Sequence, residues 1–147
     1  MGKTHNLNMK QLKKLDVFGE NAEQVALDVT KESIEDVIEE ANKPVAAGGR
    51  MRVDTGFLRS SGVGAVNQIP SGPSEGIKRK AGQTGIIYNY TIQPVLSALI
   101  NLKDGDTFYY GWTARYAEIR EAYDGFVASA VQKWDEIVDN NVRRLKK

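Results

Sequence analysis

The hydrophobic periodicity of this chain predicts an α+β fold, a small antiparallel sheet of three to four strands packed against two long helices, one N-terminal and one C-terminal. Three observations lead there. Apolar residues recur at spacings of three and four between Asn21 and Asn42, and again between Gly125 and Leu145. Between them, Ile86 to Ile92 alternates, with Ile86, Tyr88, Tyr90 and Ile92 on one face and Ile87, Asn89 and Thr91 on the other. Each helix exposes one apolar stripe, and the simplest cover for both is one side of an antiparallel sheet.

Residues 1–14 are polar, with Lys10, Lys13 and Lys14, and are expected to form a flexible arm. Residues 15–147 then make one domain, with a mobile loop around 66–84. In the first helix Ala22, Val25, Ala26, Val29, Ser33, Val37 and Ala41 form the stripe, widened by Ile34 and Ile38. Pro44 ends it, since proline disfavours helical geometry at Lys43 and has no N–H to donate. Asp54 or Thr55 stands where an N-cap belongs, ahead of one or two turns running through Leu58 to Ser61. A strand over Val63 to Ile69 and a breaker-rich loop reaching Gly85 follow.

The strand Ile86 to Ile92 comes next, and then an antiparallel hairpin: Leu96 to Leu102, a turn at Lys103-Asp104-Gly105-Asp106, and Thr107 to Trp112. A helix over Val95 to Leu102 is the alternative, and it would spoil that pairing. The last helix carries Val127, Ala130, Val131, Trp134, Ile137, Val138, Asn141, Val142 and Leu145 on its stripe. Its C-terminal bases suit the helix dipole.

Bulk properties narrow the function. The 147 residues are enough for one domain that buries about two thirds of its unfolded surface without metals or disulfides. With no cysteine, thiol catalysis, zinc–thiolate sites and disulfide frameworks are all excluded. No apolar run approaches the roughly 20 residues of a bilayer span, and the first residues lack a signal-peptide core, so no membrane partner is expected. The net charge of +1 conceals segregation. Asp16 to Asn42 holds nine acids and one base, Lys31, whereas residues 43–80 hold seven bases against Asp54 and Glu75. Glu32, Glu35, Asp36 and Glu39 on the acidic side, and Arg50, Arg52, Lys78, Arg79 and Lys80 on the basic side, are therefore candidate interface residues for self-association.

Catalytic constellations are sparse. Asp54-Thr55-Gly56 is the triplet an aspartic protease presents, and a chain with one copy would have to dimerise to bring two carboxylates about 3 Å apart. Against a homodimeric protease stand Arg52 before Val53, the bulky Phe57 after the glycine, and helical flanks where that fold needs strands. His5 is the one histidine, so neither a Ser–His arrangement nor a His-based metal site is available. Glu118 and Glu121, three apart, have Arg115 and Arg120 as neighbours and read as solvated or salt-bridged. No catalytic residue, cofactor or metal is expected. A small nucleic-acid-binding protein is the other alternative: Lys78-Arg79-Lys80 would meet phosphates and Tyr88, Tyr90, Tyr109 and Tyr110 would offer stacking faces. The near-neutral charge and the sheet-like spacing of the tyrosines weigh against it.

Two stretches carry a resemblance. Val53-Asp54-Thr55-Gly56 with Leu58-Arg59 and Ser61, after a long first helix, and Tyr110 to Ile119 followed by Gly125-Phe126-Val127, resemble the bacteriophage neck and tail-completion family typified by the minor tail component of HK97-like phages. Arg120-Glu121-Ala122-Tyr123 and Gly125-Phe126 depart from the Gly-Thr and Pro-Phe that the family often has there. The resemblance implies a non-enzymatic virion structural protein, made in the host cytoplasm and assembled as a homo-oligomeric ring. Its partners would be portal-connector or head-closure proteins and tail terminator or tail tube proteins, with non-specific contact to transiting DNA. It marks Asp54, Thr55, Gly56, Leu58, Arg59, Tyr116, Ala117, Glu118 and Phe126 as a structural signature. Asp54 and Thr55 would cap, Gly56 would let backbones approach, Leu58 would pack inward, and Arg59 would pair with an acid such as Glu118, within the subunit or across to a neighbour.

Overall fold

The computed structural model describes residues 7–8, 10–11, 21–70 and 88–145. Among them the chain is α+β, with six helices and a two-stranded antiparallel sheet. The helices are α1 (Ala22–Asn42), α2 (Phe57–Ser60), α3 (Gln93–Leu99), α4 (Ala117–Asp124), α5 (Phe126–Val131) and α6 (Trp134–Leu145), and the strands are β1 (Gly62–Val66) and β2 (Phe108–Trp112).

The first helix packs along α6 and α5, so the two long stripes cover each other where a sheet was expected to cover both. Val29 of α1 meets Trp134, Val138 and Val142 of α6 in one core cluster. A buried polar seam fixes the register of the two helices. Asn141 donates to Ser33 Oγ at 3.0 Å and to Asp36 Oδ2 at 3.1 Å, while Arg144 pairs with Glu32 beside it. Helix α1 stops where Pro44 predicts: Lys43 is already extended, with ψ 121°.

The C-terminal helix is interrupted. Lys133 N–H bonds to Ala130 O, one residue short of α spacing, so a tight turn at Gln132–Lys133 separates α5 from α6. The apolar stripe continues across this turn, with Ala130, Trp134 and Val138 buried, and so periodicity alone shows no break. The N-terminal arm is docked at two of its described residues. Leu7 packs on the α1–α6 cluster, and Gln11, buried, donates to Asp135 Oδ1 at 3.4 Å.

The sheet is smaller than three to four strands. Residues 88–91 form no strand, and residues 86–87 of that predicted strand lie outside the described residues. Leu96 to Leu102 is not a hairpin arm: Leu96 to Leu99 belong to α3, the helical alternative, and residues 100–102 follow it in a turn. Pro94 sits in the first turn, where its missing N–H costs nothing, and Val95, Leu99 and Leu102 bury against Ile38. Ile100 is left 76% exposed, so the three-to-four period governs the segment over alternation. The turn at Lys103–Asp106 does form, closed by Asp106 N–H to Lys103 O at 3.0 Å, but it leads from α3 into β2.

β2 pairs instead with β1, Gly62 opposite Trp112 and Val66 opposite Phe108. The strand predicted over Val63 to Ile69 is thereby shortened, and Asn67 closes it with φ 57°. Phe108, Tyr110 and Trp112 face the helices, and the ribbon leaves them room only through glycine. A Cβ on Gly62 would lie 1.8 Å from the Tyr110 hydroxyl, and one on Gly64 would lie 2.5 Å from Phe108.

Candidate functional site

The Asp54-to-Ser61 segment is a junction between α1, the start of β1 and the chain leading into α4. Asp54 and Thr55 lie in a bend, and α2 is a single turn whose N-cap is Gly56. The cap expected at Asp54 or Thr55 is thus moved one to two residues on, to Gly56. Thr55 supplies part of it, its Oγ1 accepting from Phe57 N–H at 3.3 Å, while the Asp54 carboxylate is exposed. Gly56 has the expected role. Its φ is +84°, and a Cβ there would stand 2.4 Å from the Tyr88 carbonyl oxygen, because Tyr88 N–H bonds Thr55 O at 2.8 Å and draws that strand of chain across the glycine.

Leu58 packs inward with Met51, Ala114 and Phe126. Arg59 does not pair with Glu118 within the chain. Its Nε donates to the carbonyl oxygen of Asn42 at 2.9 Å, at the end of α1, and its guanidinium stacks 4.3 Å from the Tyr90 ring centroid. The last-turn carbonyls of a helix lack intrahelical donors and carry partial negative charge, and an arginine answers both. Tyr90 in turn donates to Glu39 Oε1 at 3.1 Å. Burial, then the Glu39 charge and that hydrogen bond, raise the Tyr90 pKa.

Sequence periodicity missed the residue at the centre of this arrangement. Asn42 is fully buried; its Nδ2 donates to Ile38 O at 3.0 Å and to Tyr110 Oη at 3.1 Å, and its Oδ1 accepts from Trp112 Nε1 at 2.9 Å. Burial raises the Tyr110 pKa, and the bond from Asn42 opposes that. The available signal was position: Asn42 continues the Ile38 stripe by one turn and precedes Lys43-Pro44, so it had to face inward at a helix end.

The second signature stretch lies against the first. Ser61 O accepts from Thr113 N–H at 3.1 Å and from Thr113 Oγ1 at 3.0 Å, and Ser61 Oγ accepts from Ala114 N–H at 3.1 Å. Tyr116 packs on Phe57, ring centroids 6.2 Å apart, and its pKa is raised mainly by burial, against a hydrogen bond that its hydroxyl oxygen accepts from the Leu58 backbone. Trp112 stands edge-on to Tyr110 and to Phe126, each at 5.0 Å. Ala117 opens α4 by bonding Ala114 O at 3.0 Å, and Glu118 is exposed on that helix.

Asp124, also missed, is buried at the end of α4 and held by Arg120 in a two-oxygen clasp at 2.6–3.0 Å, with Arg52 at 3.4 Å. A depression of about 440 Å³ lies over this junction, lined by residues 52–59, Tyr116 and Arg120. Among the described residues no group of three or more His, Asp or Glu side chains is arranged to hold a metal.

The candidate interface charges divide. Glu32 pairs with Arg144, Asp36 accepts from Asn141, and Glu39 accepts from Tyr90, so much of the acidic face is engaged by the chain itself. Arg52 is tied to Asp124. Glu35 and Arg50 have no ion pair among the described residues. Burial, then Asp36, Glu39 and Glu32, push the Glu35 pKa up. Lys78, Arg79 and Lys80 lie outside the described residues. No protein-family model, curated protein or solved structure matches the chain.

Proposed function

We propose that this chain is a non-enzymatic structural protein of a phage neck, assembling as a ring that joins the portal-connector stack to the tail. The observation that supports this reading is the union of the two signature stretches. Residues 53–61 and 110–126, distant in sequence, form one hydrogen-bonded and packed unit around Ser61, Leu58 and Phe126. In that unit the Asp54-Thr55-Gly56 triplet anchors a bend under Tyr88. The Asp54 carboxylate is exposed at that bend.

In this reading the bend is a joint: Arg59 ties it to the end of α1, and Ser61 ties it to the chain leading into α4. A ring subunit needs this, because small angular errors accumulate around a closed assembly. Since the acidic face is largely satisfied within the chain, ring contacts would draw on other surfaces as well as on Glu35 and Arg50.

Negative-stain electron microscopy of the purified protein, alone and with candidate connector and tail proteins, tests this. Rings or decorated connectors are the expected result, unchanged by Asp54→Asn. Cleavage of peptides at acid pH that Asp54→Asn abolishes would instead establish the protease reading. A strong duplex mobility shift at low salt would favour nucleic-acid binding.

A further inference from the structure

Edge strands usually carry a guard against adding another strand: a charge, a proline, a bulge or a covering element. The five residues of β2, Phe108-Tyr109-Tyr110-Gly111-Trp112, contain no charge and no proline. Helix α3 packs along β1, whereas among the described residues no element other than β1 packs extensively along β2.

The ladder's phase identifies which backbone groups are left over. Asn67 N–H bonds Thr107 O at 2.7 Å and Thr113 N–H bonds Ser61 O at 3.1 Å, so Val63–Gly111 and Ala65–Tyr109 are the hydrogen-bonded pairs between them. The N–H and C=O groups of Phe108, Tyr110 and Trp112 therefore point away from β1. None of them meets another backbone group among the described residues.

Gly111 is the second observation. Gly62 and Gly64 are demanded by Tyr110 and Phe108, but a Cβ on Gly111 would meet nothing within 4 Å. No contact among the described residues requires glycine there, and a strand glycine of that kind marks the close approach of something else. Tyr109, on the same outer face, is 38% exposed.

We propose that β2 is a self-pairing edge: two copies of this chain join through antiparallel β2–β2 pairing about a two-fold axis at Tyr110, making a four-stranded sheet. Centring on Tyr110, the middle outward-facing residue, sets Tyr110 opposite Tyr110 and Phe108 opposite Trp112, with about six main-chain hydrogen bonds. The same register sets Tyr109 opposite Gly111 of the partner copy, twice. Those are the non-hydrogen-bonded positions, about 4.5 Å apart at Cα, where a ring covers a bare glycine backbone. This match of β2 to its own reverse is what selects a second copy as the occupant. With no charge in the strand, self-pairing brings no like charges together. The contact is isologous and closes at two subunits. It does not rest on the neck reading, since a ring needs a separate, heterologous contact.

Sedimentation of the full chain over a concentration series, with hydrogen exchange of residues 108–112, tests the pairing. The expected result is a dimer that grows with concentration while the Tyr110 amide exchanges more slowly. Gly111→Val has room in the monomer but collides with Tyr109 of the partner copy, and Tyr109→Lys adds a charge to the edge. Each variant should weaken dimerisation about tenfold or more with an unchanged circular dichroism spectrum, and the exposed position 109 carries the test should the valine variant fold poorly. A monomer up to about 100 µM with concentration-independent exchange, or an oligomer equally stable in both variants, would overturn the proposal. Dimers with neither rings nor decorated connectors would remove the neck reading and leave this one standing.

Discussion

Trp112 donates its indole N–H to Oδ1 of Asn42 at 2.9 Å, joining the last residue of β2 to the last residue of α1. The same amide satisfies the Tyr110 hydroxyl, so one buried side chain ties the ribbon to the helix layer.

Asn42→Ala should therefore cost more than a cavity of its size. It leaves the Trp112 N–H and the Tyr110 hydroxyl without their partner, and about 2–4 kcal/mol of destabilisation is expected. Urea denaturation followed by tryptophan fluorescence measures it. A loss below about 0.5 kcal/mol would mean that water replaces the amide freely.

Gly56→Ala places a Cβ against the Tyr88 carbonyl and forces a side chain into left-handed geometry. Gly105 has a similar φ of +87° with open space around it, and is the natural control. Alanine at 105 should cost about 1 kcal/mol, the conformational share, and alanine at 56 at least about 2 kcal/mol. Equal costs in thermal unfolding would show that the Tyr88 approach is unimportant.

Arg59→Lys keeps the charge but loses the directed Nε bond to Asn42 O and the flat stack on Tyr90, and should cost about 1 kcal/mol. A double-mutant cycle between Arg59 and Tyr90 should show coupling of about 0.5 kcal/mol or more, and the cycle between Arg59 and Glu118 should be additive within a subunit. The reverse pattern would return Glu118 as the arginine's partner.

Glu40 and Glu35, on the same helix, should give opposite pH signatures. The hydrogen bond from Lys133 holds the Glu40 pKa below its ordinary 4.5, so its contribution is present above that value and disappears as pH falls through the folded pKa. Glu40→Gln should destabilise at pH 7, with the gap to wild type closing in acid. Burial and acidic neighbours raise the Glu35 pKa above 4.5, so its charged form opposes folding above the raised value, and protonation relieves the penalty as pH falls. Glu35→Gln should stabilise at pH 7, with that advantage shrinking in acid. Chemical denaturation from pH 3 to 8 checks both, and parallel curves for the two variants would contradict the assignment.

Periodicity read from the residues located the stripe of α1, its stop before Pro44, the inward run from Ala130 to Val142 and the turn at Lys103–Asp106. These are local effects: spacing decides which side chains share a face, and proline removes a donor wherever it stands. The resemblance also marked Gly56 as a place of close backbone approach, which is where the Tyr88 carbonyl lies.

Tertiary contact decided the remainder. Whether Val95 to Leu102 winds or extends depends on Ile38 being there to receive Val95, Leu99 and Leu102, and no local rule contains that. Pairing of β1 with β2 depends on Gly62 and Gly64 leaving room for aromatic rings from a distant segment. The partners of Arg59 and Asn42, and the reach of Arg52 to Asp124, follow from how distant segments meet in space. A short-range pattern can say that a side chain faces inward, but the group it meets there is set by the packing of elements far apart in the chain.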